Sequence, residues 1–157
     1  MRLALYQPDI PQNTGALLRL AACFAVPTDI IEPCGFVFDD RKLRRSGMDY
    51  IESVALFRHS TWEAFLAARE KTGGRLLLLS SRAEIPFTAF AFRPDDTLLL
   101  GRESAGVPEH VRAAAPFHLR VPIAPGLRSL NVVAAAAVVL GEALRQTNGF
   151  PANSFPA

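Results

Sequence analysis

The sequence predicts an α/β fold, a parallel sheet flanked by helices, and three observations carry that prediction. Short apolar runs alternate with helical patterns along the chain, the pattern of a parallel sheet covered by helices. Two runs, RLLLLSS at residues 75–81 and TLLLG at 97–101, are apolar without alternation, as central strands buried on both faces require. Ser60 and Glu63 stand at capping-box spacing ahead of a helix with Trp62, Phe65 and Leu66 on one face, and Gly73-Gly74 closes it.

The remaining elements follow in order. A strand is expected over residues 3–6, then a helix over about 13–24 with Leu17, Leu20, Ala21 and Phe24 on one face and Asn13 or Thr14 as its cap. Cys23 lies in this apolar pattern and reads as a small core residue. Strands are expected at 29–31 and 54–57, and between them the charged segment FDDRKLRRSG reads as a short helix or an exposed loop ending at Gly47. A last strand at 118–121 leads through PIAPG to a helix over 129–146 whose first half is apolar all round. Residues 1–150 form one domain on this reading, and 151–157 a tail.

A chain of 157 residues fits one domain of ordinary size. With half its residues apolar and a fifth charged, disordered and collagen-like classes are excluded. A net charge of +2 is too small to argue nucleic-acid binding. The 15 Arg against 2 Lys fit a phosphate-rich partner, and an Arg- and Ala-rich genome accounts for them equally well. Two cysteines make no disulfide framework. The start MRLALYQPDIP is no secretory signal, and the longest apolar run, residues 132–140, is far too short for a membrane helix. A cytoplasmic protein without a membrane partner is expected.

In parallel sheets ligands sit beyond the carboxyl ends of the strands, which directs attention to the residues after Tyr6, Ser80, Leu100 and Val121. Three segments there carry unusual residues. In QPDIPQNTGALLRLAA, Asn13 and Arg19 are either a helix cap and a solvated residue or a pair serving an anion. In LLLGRESAGVP, Glu103 between Gly101 and Gly106 departs from the dinucleotide fingerprint, because a carboxylate stands where a phosphate would bind. Such a loop is a plain tight turn or a seat for a ligand that is not anionic, such as a sulfonium. In RVPIAPGLRSLN, Ser129 and Asn131 open the last helix, as caps or as site residues. The hydroxyl, the amides, the carboxylate and the arginine all fall at strand-to-helix junctions of one sheet, where they can share a cleft. There is no Gly-x-Ser-x-Gly elbow and no P-loop, His59, His110 and His118 lie away from the junctions, and no metal-ligating His/Cys set is present.

These three segments, in this order and over most of the chain, resemble the three motifs of the SPOUT RNA methyltransferases. The short length and IIEPCGFVFDDRKLRRSGMDY are similar to the minimal, TrmL-type members that 2'-O-methylate the wobble nucleotide 34 of tRNA. The resemblance implies a carboxy-terminal trefoil knot, S-adenosylmethionine as cofactor with S-adenosylhomocysteine as product, no metal, the tRNA anticodon stem-loop as partner, and a homodimer with helices near both termini in its interface. Matched motif by motif, it implies cofactor contacts at Leu79, Gly101, Val121 and Ser129 and catalytic roles for Asn13, Arg19, Glu103, Ser129 and Asn131. Val132-Val133 departs from the Leu-Ser pair common after the motif asparagine. A guanidinium is cationic at working pH, so Arg19 is expected to donate to the backbone phosphate and the developing alkoxide, with Glu103, Asn13 and Asn131 orienting it. Arg41, Lys42, Arg44, Arg45 and Arg145 are candidate RNA contacts. Competing expectations are a non-catalytic RNA-binding protein on the same fold, a 2'-O-methyltransferase acting at another tRNA or rRNA position, and a small nucleotide- or flavin-binding protein.

Overall fold

The computed structural model describes residues 1–37 and 55–152. Their strands are β1 (Arg2–Tyr6), β2 (Thr28–Ile31), β3 (Leu56–His59), β4 (Leu76–Leu79), β5 (Ile85–Pro86), β6 (Thr97–Leu100) and β7 (Phe117–Arg120). The helices are α1 (Pro11–Cys23), α2 (Trp62–Thr72), α3 (Glu109–Ala114) and α4 (Val132–Gln146). The strands form one sheet in the order β3-β2-β1-β6-β4-β7-β5, and every neighbouring pair is parallel.

Successive residues of a strand face opposite sides, so the leucine-rich strands feed two cores. Leu3, Leu5, Leu77, Leu98 and Leu100 pack under Leu17, Leu18 and Ala21 of α1 and Val139, Leu140 and Leu144 of α4. Ala4, Tyr6, Leu76, Leu78 and Leu99 pack on the other side with Trp62 and Phe65 of α2 and Val111 of α3. Burial on both faces is why these strands show no polar alternation. Partly buried polar pairs tie neighbouring strands together. Arg75 grips the fully buried Asp96 with two bonds of 2.8 Å, and Arg2 and His59 meet Asp29.

Sheet order builds the site. β1, β6, β4 and β7 are spatial neighbours although their sequence positions are far apart. The registers Leu5↔Leu100, Leu79↔Leu100 and Leu79↔Leu119 bring their carboxyl ends level.

Several local expectations are corrected. α1 begins at Pro11, whose missing N–H suits the first helical position, and its cap position is Ile10 with no side-chain bond. Asn13 and Thr14 therefore lie inside the first turn, and the Thr14 hydroxyl donates back to the Ile10 carbonyl. Cys23 is exposed at the end of α1, not in the core. α2 is capped by Thr61 rather than Ser60, its hydroxyl accepting from the Ala64 amide at 3.1 Å. α4 starts at Val132 under an Asn131 cap, which leaves Ser129 in the preceding loop. β3 occupies 56–59, two residues later than expected. β5, α3 and a 3-10 turn at Phe87–Ala89 appear where no element was expected. The charged segment with Arg41, Lys42, Arg44 and Arg45 lies outside the described residues.

Candidate active site

The loops beyond β6, β4 and β7, with the starts of α1 and α4, enclose a cleft of about 630 Å³. Its apolar floor comes from Leu78, Leu79, Leu100, Val121, Ile123 and Val132. Arg82, Arg102, Arg112 and Arg120 also line it, and Glu103 is the one acidic side chain among the described lining residues. Four guanidinium groups against one carboxyl bias the cleft toward a ligand with anionic groups.

The loop after β6 explains the Gly101 and Gly106 spacing. Arg102 N donates to Gly106 O at 3.0 Å, and Gly106 N returns a bond to Arg102 O at 2.8 Å, closing residues 102–106 into a tight lobe. A Cβ at Gly101 would lie 2.7 Å from the Gly106 carbonyl carbon, and Gly106 has φ +68°, so both positions need glycine. The lobe directs Glu103 toward α1.

Three polar side chains from three distant segments then meet. Asn13 Nδ2 donates to Glu103 Oε1 at 3.2 Å, and Asn131 Nδ2 donates to Asn13 Oδ1 at 3.2 Å. Asn131 Oδ1 accepts from Val133 N at 2.8 Å as the cap of α4. A carboxylate only accepts and an amide has one end of each kind, so the row fixes the facing of both asparagines.

Asp9 braces this row from behind. Its carboxylate accepts from the amides of Glu103 (3.1 Å) and Ser104 (3.4 Å) and from the Ser104 hydroxyl, and Arg102 Nε lies 3.8 Å away. Its own amide donates to Glu103 Oε2 at 3.3 Å. The neighbouring Glu103 carboxyl, which keeps its proton longer, aided by the Ser104 and Glu103 donors, holds the Asp9 carboxyl down at about 2. Burial, and then the neighbouring Asp9, push the Glu103 carboxyl up. The pair is thus one in which Asp9 carries the charge first.

Asn13, Glu103, Ser129 and Asn131 all stand on the cleft wall, as do Leu79, Gly101 and Val121. Arg19 does not line the cleft; it is exposed on α1. Arg145 is exposed on α4 with its fork on Glu142 through two bonds of 2.8 Å. Sequence reasoning missed Asp9, Arg82, Arg112 and Arg120. Asp9 was findable as an acid three residues past the end of β1, and Arg82 and Arg120 as cations beyond or at strand ends, the positions the switch-point rule selects. Arg112 belongs to the unexpected α3 and left no such signal. Among the described residues, no group of three His, Cys, Asp or Glu side chains is placed to hold a metal ion, and no helix is long and apolar enough to cross a membrane.

Comparison with known proteins agrees with this architecture. The chain is 61% identical over 144 residues to a tRNA (cytidine(34)-2'-O)-methyltransferase of Beijerinckia indica subsp. indica, covering 92% of this chain and 90% of that one. It is 39% identical over 153 residues to the Escherichia coli (strain K12) protein of the same name, covering 96% of each. A solved structure concerned with the 2-OH methylation of C/U34 on tRNA superposes with a TM-score of 0.86 at 42% identity, covering 94% of this chain and 96% of that one. A model of the SpoU rRNA Methylase family matches residues 1–141, which span every strand end that walls the cleft and most of α4; the chain belongs to that methyltransferase family.

Proposed function

We propose that this methyltransferase moves a methyl group from S-adenosylmethionine to the ribose 2'-hydroxyl of tRNA nucleotide 34, a cytidine or a modified uridine. The observation that carries the proposal is the Glu103–Asn13–Asn131 row, assembled on one cleft in a chain so similar to enzymes named for that reaction.

The cleft suits the cofactor. Its volume falls within the roughly 300–1,000 Å³ of small-molecule sites, and its apolar floor and the backbone of the 79–82 and 101–107 loops offer an adenine pocket. Leu79, Gly101, Val121 and Ser129 are the contacts assigned to it. A cleft arginine can take the amino-acid carboxylate. When bound, S-adenosylmethionine supplies an electrophilic methyl on a sulfonium.

The chain's own residues supply position. Asn13 and Asn131, fixed by Glu103, present amide groups to the ribose and set its 2'-oxygen in line. Arg19 binds the adjoining phosphate and stabilises the developing alkoxide as a donor, and a phosphate oxygen or water takes the proton. Because Arg19 is outside its own subunit's cleft, it serves the partner's cleft in a homodimer. α1 packs on α4, and Val138 of α4 is 46% exposed, an apolar side chain for that interface to cover. Ser129, beside Asn131 on the cleft wall, is held to both substrate and cofactor. Arg41, Lys42, Arg44 and Arg45 dock the anticodon stem-loop. Arg145 joins them once released from Glu142. The proposal carries with it the threaded carboxy-terminal knot, the single domain over 1–150 with a tail, and a cytoplasmic setting beside tRNA.

Calorimetry with S-adenosylmethionine, followed by transfer of labelled methyl to bulk tRNA, tests the proposal. Binding with transfer is expected. Binding of RNA without transfer would make the chain a non-catalytic platform, and transfer to rRNA alone would move the target.

A further inference from the structure

We infer that Asp9 is a positioning residue for methyl transfer, holding Glu103 toward Asn13 through a reciprocal clamp between the first and second motif segments. The inference rests on the function proposed above and adds a residue to it.

Two segments more than ninety positions apart exchange bonds in both directions. Asp9 Oδ1 takes the Glu103 amide, Asp9 Oδ2 takes the Ser104 amide and hydroxyl, and the Asp9 amide takes Glu103 Oε2. Glu103 Oε1 is left for Asn13. The two Glu103 oxygens are thus divided between a brace and the asparagine row, and rotation of the carboxyl would break both. Asp9 is itself held from its other side. Gly35 N donates to Pro8 O at 2.9 Å, and a Cβ at Gly35 would stand 2.7 Å from the Asp9 Cβ, so the backbone at 35 packs beside Asp9 with no room for a side chain. The side chain does not line the cleft, which separates it from residues that touch substrate. Arg102 is the cation facing it.

The test compares wild type, Asp9→Asn and Asp9→Ala as full-length protein with tRNA and S-adenosylmethionine. Asp9→Asn keeps an oxygen for one amide and loses the charge. It is expected to lower kcat about tenfold or more while cofactor Kd and the KM for tRNA stay within about threefold. A purely structural role would instead leave kcat per folded molecule intact. A double-mutant cycle locates the effect: in a Glu103→Gln background, Asp9→Asn should cost less than about twofold more, because both act through one contact. Multiplicative losses would overturn the inference. A measurement without substrate keeps it independent of the proposed reaction. Carbon-13 carboxyl titration should show Glu103 ionising at lower pH in Asp9→Asn and Asp9→Ala than in wild type, since a neighbouring carboxylate is removed. An unmoved Glu103 titration overturns the clamp even if wild type methylates tRNA. A moved titration in a wild type that transfers no methyl supports the clamp and overturns the proposed reaction alone.

Discussion

Asn131 uses the two ends of one amide for different tasks. Its oxygen caps α4 by accepting from Val133 N, and its nitrogen donates to Asn13. Aspartate keeps the capping oxygen and loses the donor, so Asn131→Asp should leave thermal stability nearly unchanged and reduce turnover at least about tenfold. Asn131→Ala removes both and should also cost about 1 kcal/mol in denaturant unfolding. Equal stability of the two variants would contradict the dual role. Glu103 makes a pH-dependent prediction. Its folded value is raised above the ordinary 4.5, so its contribution favours the folded state below that pH and is lost as pH rises. Asp9 has the opposite sign: held at about 2 against an ordinary 3.8, its contribution is full above the ordinary value and lost as pH falls toward 2. Replacing Glu103 by Gln removes the first effect and also changes the partner that holds Asp9 down, but the Asp9 effect acts only below its ordinary 3.8, so above that pH the first is read alone. The stability of Glu103→Gln relative to wild type should therefore rise as pH climbs past the ordinary 4.5 in urea titrations, while methyl transfer falls to a slow but measurable residual rate. A pH-independent gap would show that Glu103 is not desolvated.

At the scale of elements, the cap of α2 separates what the sequence suggests from what folds. Ser60 has the capping-box spacing, and Thr61 does the capping. Thr61→Ala should destabilise by about 1 kcal/mol and Ser60→Ala by less than about 0.5 kcal/mol in chemical denaturation; the reverse order would return the cap to Ser60. The central strands were legible because burial on both faces writes an unbroken apolar run such as Leu76–Leu79. β5, two residues long, and α3, six residues long, hold too few positions for any periodicity to show. α1 was placed late because Asn13 looks like a cap, whereas Pro11 and Ile10 set the start and free the Asn13 side chain for Glu103. The same logic governs the site. Asn13, Glu103, Ser129 and Asn131 were legible because each stands at a junction the strand pattern exposes. Asp9 stands at such a junction too, but its task was hidden, because it lies in two backbone amides 94 and 95 positions away, a pairing no local pattern encodes.

At the scale of the whole molecule, the sheet order does what chain proximity cannot. Setting β6 between β1 and β4 places the Glu103 lobe between the Asn13 helix and the loop after β4. It also leaves Arg19 outside the cleft, which the proposed homodimer with shared active sites would resolve. Arg19→Ala and Glu103→Ala proteins, each inactive alone, should regain methyl transfer when unfolded and refolded together, because each mixed dimer holds one intact combination. No recovery in verified mixed dimers would confine Arg19 to its own subunit. In the proposed reaction the cleft directs a methyl group to one ribose hydroxyl. The most direct measurement is transfer from labelled S-adenosylmethionine to an anticodon stem-loop carrying a single 2'-deoxy substitution at nucleotide 34. This one missing oxygen should abolish incorporation while deoxy substitution at nucleotides 32 or 35 does not; undiminished labelling of the 34-deoxy RNA would contradict transfer to that hydroxyl.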